Sequence, residues 1–133
     1  MGLALLGLAV GVQGQDDGVA LTLNQGARDG SLYEEGELSN GAGAHVFAGR
    51  TEQGRLRRAL LAFSLDGGPA GVRVVEARLV LTISKTPFDR RNADLFLHRM
   101  DAPWHEGVQD APGEEGRGAE AAPGDATWAW RAL

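Results

Sequence analysis

Two long segments in which apolar and polar residues alternate constrain the fold of this chain most. Between residues 75 and 84, apolar side chains occupy every second position, at Val75, Ala77, Leu79, Leu81 and Ile83. Residues 57–65 alternate in the same way, with Ala59, Leu61, Phe63 and Leu65 on one face. A period of two is that of a β-strand, whereas an amphipathic helix repeats its apolar residues at a spacing of about 3.6. Both segments are therefore predicted to be strands.

The rest of the chain fits an all-β fold of one domain. The 133 residues suffice for one core, and the 20 glycines and 5 prolines divide the sequence into short elements. Further strand signals lie at 19–24, 31–33 and 93–100, and a strand-like pattern resumes at 125–130. We predict an all-β protein.

Charge and cysteine content exclude several classes of function. The net charge of -5 makes nucleic acid an unlikely partner for a protein of this size. Because cysteine is absent, disulfides, zinc–thiolate sites and thiol catalysis are excluded. Of the 13 basic residues 12 are arginine, which is typical of a GC-rich bacterial genome. No motif of a Ser hydrolase, zinc protease, dinucleotide site or P-loop occurs, so we predict no catalytic residue.

The first residues have the character of a signal peptide. Residues 3–12 are apolar and uncharged, and small residues precede the acidic pair Asp16 and Asp17. This pattern predicts a signal peptide at 1–14 and a secreted, extracellular or cell-surface protein. The apolar run is shorter than the roughly 20 residues that span a bilayer, so no membrane span is expected.

The C-terminal part differs in composition from the strands. Residues 107–124 consist mainly of Gly, Ala, Pro, Glu and Asp, which predicts an irregular exposed loop. A β-sandwich closes with about seven or eight strands. Because fewer strand signals precede residue 133, we expect the sandwich to be incomplete at its C-terminal end and to need the remainder of a larger chain or partner strands.

Several phrases in order resemble the DNRLRE family of secreted modules, which is related to disaggregatase repeats and to a carbohydrate-binding group. The matching phrases are 19–24, 29–33, 39–43, 47–50, 57–65, 75–84, 97–99 with Trp104, Glu106 and Gly107, and 124–128. The resemblance covers about the N-terminal two thirds of such a module. It implies a jelly-roll-like antiparallel β-sandwich over residues 15–133. It also implies a non-catalytic role in carbohydrate binding, adhesion or cell-surface structure within a larger secreted protein.

Carbohydrate binding needs flat aromatic rings and planar hydrogen-bond donors. The candidate residues for a polysaccharide ligand are Tyr33, Arg50, Arg58, Lys85, Trp104 and Trp128. Two alternatives stay open. Trp104 and Trp128 are also placed to close the open end of a sandwich, and Arg58 is also placed to pair with Glu76 or Asp94 across strands.

Oxygen-rich side chains next to turns suggest a possible structural calcium ion. The candidates are Asp29, Glu34 and Asn40, although no calcium-loop motif is present and a solvated acidic loop explains the same residues. No other cofactor is predicted. The alternative function is a fragment of a polysaccharide-degrading enzyme, a glycoside hydrolase or lyase, in which two of the many carboxylates act as acid and base.

Overall fold

The computed structural model describes residues 2–13, 18–23, 27–66, 70–71, 73–86 and 94–129, and the side chains of these residues apart from those of 2–20 and 27. The described residues form nine β-strands and no helix, which confirms the all-β class. Among them, no helix has the length and apolar character needed to cross a membrane. The strands are β1 (Gly2–Gln13), β2 (Gly18–Leu23), β3 (Ala27–Tyr33), β4 (Leu38–Ser39), β5 (Val46–Phe47), β6 (Gly49–Arg50), β7 (Leu56–Phe63), β8 (Val74–Lys85) and β9 (Ala119–Glu120).

The first sheet is organised around β1. One edge of β1 pairs with β8 in antiparallel register, and this pairing confirms the strand predicted over 75–84. The other edge pairs with β2 over residues 8–13 and with β5 at residues 2–3. β1 lies within the segment predicted to be a signal peptide, and the removal of that segment stays a prediction.

The second sheet places β7 between β3 and β6, with both pairings antiparallel. β7 confirms the strand predicted at 57–65, although it ends at Phe63. Leu32 lies opposite Arg58 in the β3–β7 register, and opposed residues share a face of the sheet. Since Leu60 is two positions after Arg58, it lies on that face too. A third sheet is formed by β4 and β9 alone, and the predicted jelly-roll sandwich stays a prediction.

One buried cluster lies on the Leu60 face of β3 and β7 and includes residues of the segment 101–129. Leu60, Trp104 and Ala126 are buried together, with Leu32 and Ala62 packed against them. Apart from β9, residues 107–124 have an irregular backbone. Half of the residues in this run are exposed, while Ala111 and Glu115 are buried. Its polar groups find partners on β3, on β4 and in the turn that follows β4, as the site below shows, and these bonds replace the apolar burial that its composition lacks.

Residues 94–100 form no strand, in contrast to the strand predicted over 93–100. Phe96 and Leu97 are each 79% exposed. The alternation is present in the sequence, but no strand of the described residues lies beside this segment to complete its backbone hydrogen bonds. Residues 125–129 also form no strand, although 125–127 are buried, and Trp130 lies outside the described residues.

The long strand β8 keeps much of its apolar surface exposed. Val74, Val80 and Ile83 are about half exposed, and β1 is the strand with which β8 pairs in the part of the chain that the structure describes. Single exposed apolar residues are common on protein surfaces, but a whole strand with two open faces is not. The exposed apolar surface of β8 is therefore relevant to whether this chain functions alone or together with further polypeptide.

Candidate functional site

Trp104 fixes the irregular segment to the sheet. Its side chain is 4% exposed and lies against Leu60 and Ala126. Arg28, on β3, donates from Nη1 to the carbonyl oxygen of Trp104 at 3.1 Å, and its guanidinium lies 5.4 Å from the centre of the Trp104 ring. The indole therefore acts as a buried anchor.

Glu115 fastens the same segment to the turn after β4. Its carboxylate accepts the backbone N–H groups of Ala44 at 3.1 Å and His45 at 2.9 Å, and the Asn40 side-chain amide at 3.0 Å. The His45 ring nitrogen Nδ1 lies 3.4 Å from Oε1. Glu115 also has a left-handed backbone, with a φ of 61°, which is uncommon outside glycine. These bonds hold the residue in that conformation.

The ionisation of Glu115 follows from this environment. Burial disfavours the charged form, but the hydrogen bonds from Asn40, His45 and Ala44 together outweigh it, so the pKa of Glu115 is lowered from its ordinary value of 4.5. At neutral pH the carboxylate is charged and accepts all three donors. Glu115 is therefore a structural anion rather than a proton donor.

Asn40 uses both ends of its amide. Besides the bond to Glu115, Nδ2 donates to the carbonyl oxygen of His45 at 3.1 Å, and Oδ1 accepts the backbone N–H of Ala111 at 2.9 Å. The next residue, Gly41, lies so close to the backbone of Glu106 that a Cβ there would lie 1.8 Å from the Glu106 carbonyl oxygen. Residues 40–43 and 106–111 thus pack backbone against backbone.

Asp125 forms the second polar clamp. Its Oδ2 accepts the Ser39 hydroxyl and the backbone N–H of Ala122, both at 2.9 Å. The residue is only 7% exposed. Gly107 packs without a side chain beside this carboxylate.

Asp125 is one of the residues that line an open cleft of about 480 Å³. Its walls are formed by the residues next to Trp104, by the turn before Asp125 and by one side chain of β3. The lining residues are Arg28, His105, Glu106, Gly107, Val108, Ala122, Pro123, Gly124 and Asp125. The cleft therefore combines donors, acceptors and two apolar surfaces, and we take it as the candidate site.

Asp29 lies next to Glu106, one of the residues that line the cleft. Glu106 accepts the backbone N–H of Asp29 at 3.0 Å through Oε1. Burial raises the pKa of Asp29, and the negative charges of Glu106 and Glu115 raise it further. The surroundings of the cleft are thus already rich in negative charge.

The three aromatic residues that were predicted to bind a ligand already contact other groups of the protein. Tyr33 is 0% exposed, and its hydroxyl donates to the Glu115 carbonyl oxygen at 2.8 Å. Trp104 is the buried anchor described above, in line with the alternative that it closes an open end. Trp128 is partly buried, and the Arg58 guanidinium lies over its ring at 4.2 Å. Tyr33 and Trp104 therefore offer no free face to a sugar.

The predicted cationic ligand residues are dispersed. Arg58 is stacked on Trp128, whereas the alternative partner Glu76 pairs with Arg78. Arg50 donates to the Gly54 carbonyl oxygen at 2.6 Å, in the turn between β6 and β7. Lys85, at the end of β8, pairs with Glu114. None of these three lines the cleft.

The calcium candidates also have other partners. Glu34 accepts the backbone N–H of Leu56 at 2.6 Å, Asn40 is bonded at both ends, and the Asp29 backbone binds Glu106. In the described ranges, no group of three or more His, Asp or Glu side chains is placed to hold a metal ion. A structural calcium stays a prediction.

Comparison with family models, with curated proteins and with solved structures finds no match for this chain. The resemblance to the DNRLRE family therefore stays a prediction.

Proposed function

We propose that this chain is a non-catalytic extracellular module that binds a carbohydrate in the cleft at Asp125. The observation that carries the proposal is the cleft of about 480 Å³, whose lining includes Arg28, His105, Glu106 and Asp125. Sugar hydroxyls both donate and accept hydrogen bonds, so they match a lining that contains donors and acceptors. The proposal also includes a role in adhesion or cell-surface structure within a larger secreted protein.

The rest of the lining supports a sugar ligand. Arg28 and His105 can donate to hydroxyl oxygens, and Glu106 can accept from hydroxyl groups. Val108, which is exposed, and Pro123 offer apolar surface to the C–H faces of a ring. Polar groups that fix orientation beside apolar contact surface are typical of small-molecule sites.

Replacing His105 with alanine is expected to weaken saccharide binding about five- to tenfold, because one hydrogen-bonding group of the cleft is lost. His105 is exposed and makes no core contact, so the fold should be retained. His98→Ala is the matched control, since His98 is exposed and lies outside the cleft lining. Affinity electrophoresis in polysaccharide gels and calorimetric titration measure both variants. Equal binding by wild type and His105→Ala would contradict the proposed site.

The second candidate function, a polysaccharide-degrading enzyme, is favoured by one observation. Asp29 has a raised pKa beside the Glu106 carboxylate, which is the arrangement of a general acid next to a base or nucleophile. Release of reducing ends from a polysaccharide, abolished by both Asp29→Asn and Glu106→Gln, supports the enzyme. Binding without product release supports the module.

The exposed surface of β8 supports membership of a larger protein. Its apolar side chains and the exposed segment 94–100 would be covered by the remainder of a longer chain or by partner strands. We propose this as the setting in which the module operates, outside the cell.

A further inference from the structure

The charged groups that line the cleft sum to a negative value. Glu106 and Asp125 supply two carboxylates and Arg28 one guanidinium, and Asp29 is joined to Glu106 through its backbone N–H. His105 adds a positive charge only when it is protonated. The whole chain carries a formal net charge of -5, so the surrounding field has the same sign.

The one guanidinium of the lining is already engaged within the protein. Arg28 donates to the Trp104 carbonyl oxygen and lies over the Trp104 ring. The two carboxylates also accept from protein groups, Glu106 from the Asp29 backbone and Asp125 from Ser39 and Ala122. A carboxylate can accept about four hydrogen bonds, so both keep the capacity to accept from a ligand.

We infer that the cleft selects saccharides that are neutral or carry amino groups, and disfavours those that carry carboxylates. This inference rests on the proposed function. Hydroxyl and ammonium groups can donate to the carboxylates of Glu106 and Asp125, whereas a sugar carboxylate brings only acceptors and is repelled by both. An ammonium group gains in addition from the attraction of opposite charges.

The test is a binding series on the full-length chain with three sets of immobilised oligosaccharides on one array. Each set contains several backbones, and the sets are neutral, amino-bearing and uronate-bearing. We expect uronate-bearing oligosaccharides to bind at least tenfold more weakly than the best member of the other sets. This gap in affinity should be smaller at high salt.

Glu106→Gln should narrow this gap several-fold, because it removes one repelling charge and keeps the oxygen that accepts from Asp29. Glu52→Gln removes the same charge from an exposed residue outside the cleft lining and should leave the gap unchanged. Preferred binding of uronates, or a gap that Glu106→Gln does not alter, would overturn the inference while the proposed function stands. Failure of every set to bind would overturn the proposed function and the inference with it.

Discussion

Replacing Trp104 with alanine is expected to lower the free energy of unfolding by about 3–5 kcal/mol. The indole is 4% exposed and is the largest side chain of the cluster that joins residues 101–129 to the β3–β7 sheet. Its loss leaves a cavity beside Leu60 and removes the ring under the Arg28 guanidinium. For a domain of this size, such a loss approaches the whole stability.

Urea unfolding followed by tryptophan fluorescence and far-UV circular dichroism measures this change. Trp128→Ala is the matched control, because Trp128 is only partly buried and lies beneath Arg58 at the surface. Trp128→Ala should lower the free energy of unfolding by about 1 kcal/mol or less. If Trp104→Ala is as stable as Trp128→Ala, Trp104 is not the anchor. A consequence for binding assays is that Trp104→Ala cannot distinguish a lost ligand contact from a lost fold, whereas His105→Ala can.

Replacing Glu115 with glutamine is expected to destabilise the protein by about 3 kcal/mol at neutral pH. The carboxylate accepts from Asn40, Ala44 and His45, and hydrogen bonds to a charged acceptor contribute about 1.5–3 kcal/mol each. The glutamine amide keeps one acceptor oxygen, but its NH2 group is itself a donor and would face N–H groups from which the carboxylate accepts. Glu114→Gln is the control next to it in the chain, because Glu114 is exposed and pairs only with Lys85, so little change is expected.

The effect of Glu115→Gln should depend on pH in a defined direction. Because the pKa of Glu115 is lowered in the folded protein, its contribution is fully present above the ordinary value of 4.5 and is lost as pH falls through the lowered value. Asp29 acts in the opposite sense, since its raised pKa favours the folded state at low pH and that contribution fades as pH rises. The difference between wild type and Glu115→Gln cancels the part of the Asp29 contribution that comes from burial and from Glu106, while the smaller part due to the Glu115 charge remains. This difference should shrink below pH 4.5, and a constant difference would show that the Glu115 charge plays no part.

The strands were predictable because their signal is local. The alternation in 57–65 and 75–84 depends only on neighbouring residues, and both segments are strands in the structure. At 93–100 the same local signal failed, because a strand also needs a neighbour, and the sequence alone does not provide one. Local periodicity thus predicts the conformation that a segment favours, but not its pairing.

The candidate site was not predictable from local patterns. Glu115 binds residues 70 to 75 positions earlier, and Asp125 binds Ser39 across 86 positions. Both carboxylates stand in or beside a run whose composition indicated an exposed loop. The one available signal was the high density of glycines around them, since Gly41 lets two backbones approach and Gly107 lets the Asp125 carboxylate approach where a side chain would collide.

The predicted ligand residues stay a prediction, and the sequence could not rank them for a related reason. In the sequence, an aromatic residue next to a strand end is equally compatible with stacking on a sugar and with packing in the core. The structure assigns Tyr33 and Trp104 to packing, through burial and long-range contacts that periodicity does not encode. Glu106 belongs to a matching phrase of the family resemblance, but its position in the cleft becomes visible only in three dimensions.

Amide hydrogen exchange across residues 101–129 tests most directly the claim that this irregular segment is packed and builds the cleft. The backbone N–H of Ala111 is bonded to Asn40, and that of Asp125 to the Ala122 carbonyl oxygen. Both should exchange slowly, at rates comparable to amides in the middle of β7, and Trp104→Ala should release them. Exchange of Ala111 and Asp125 at the rate of an unfolded chain in the wild-type protein would contradict the account.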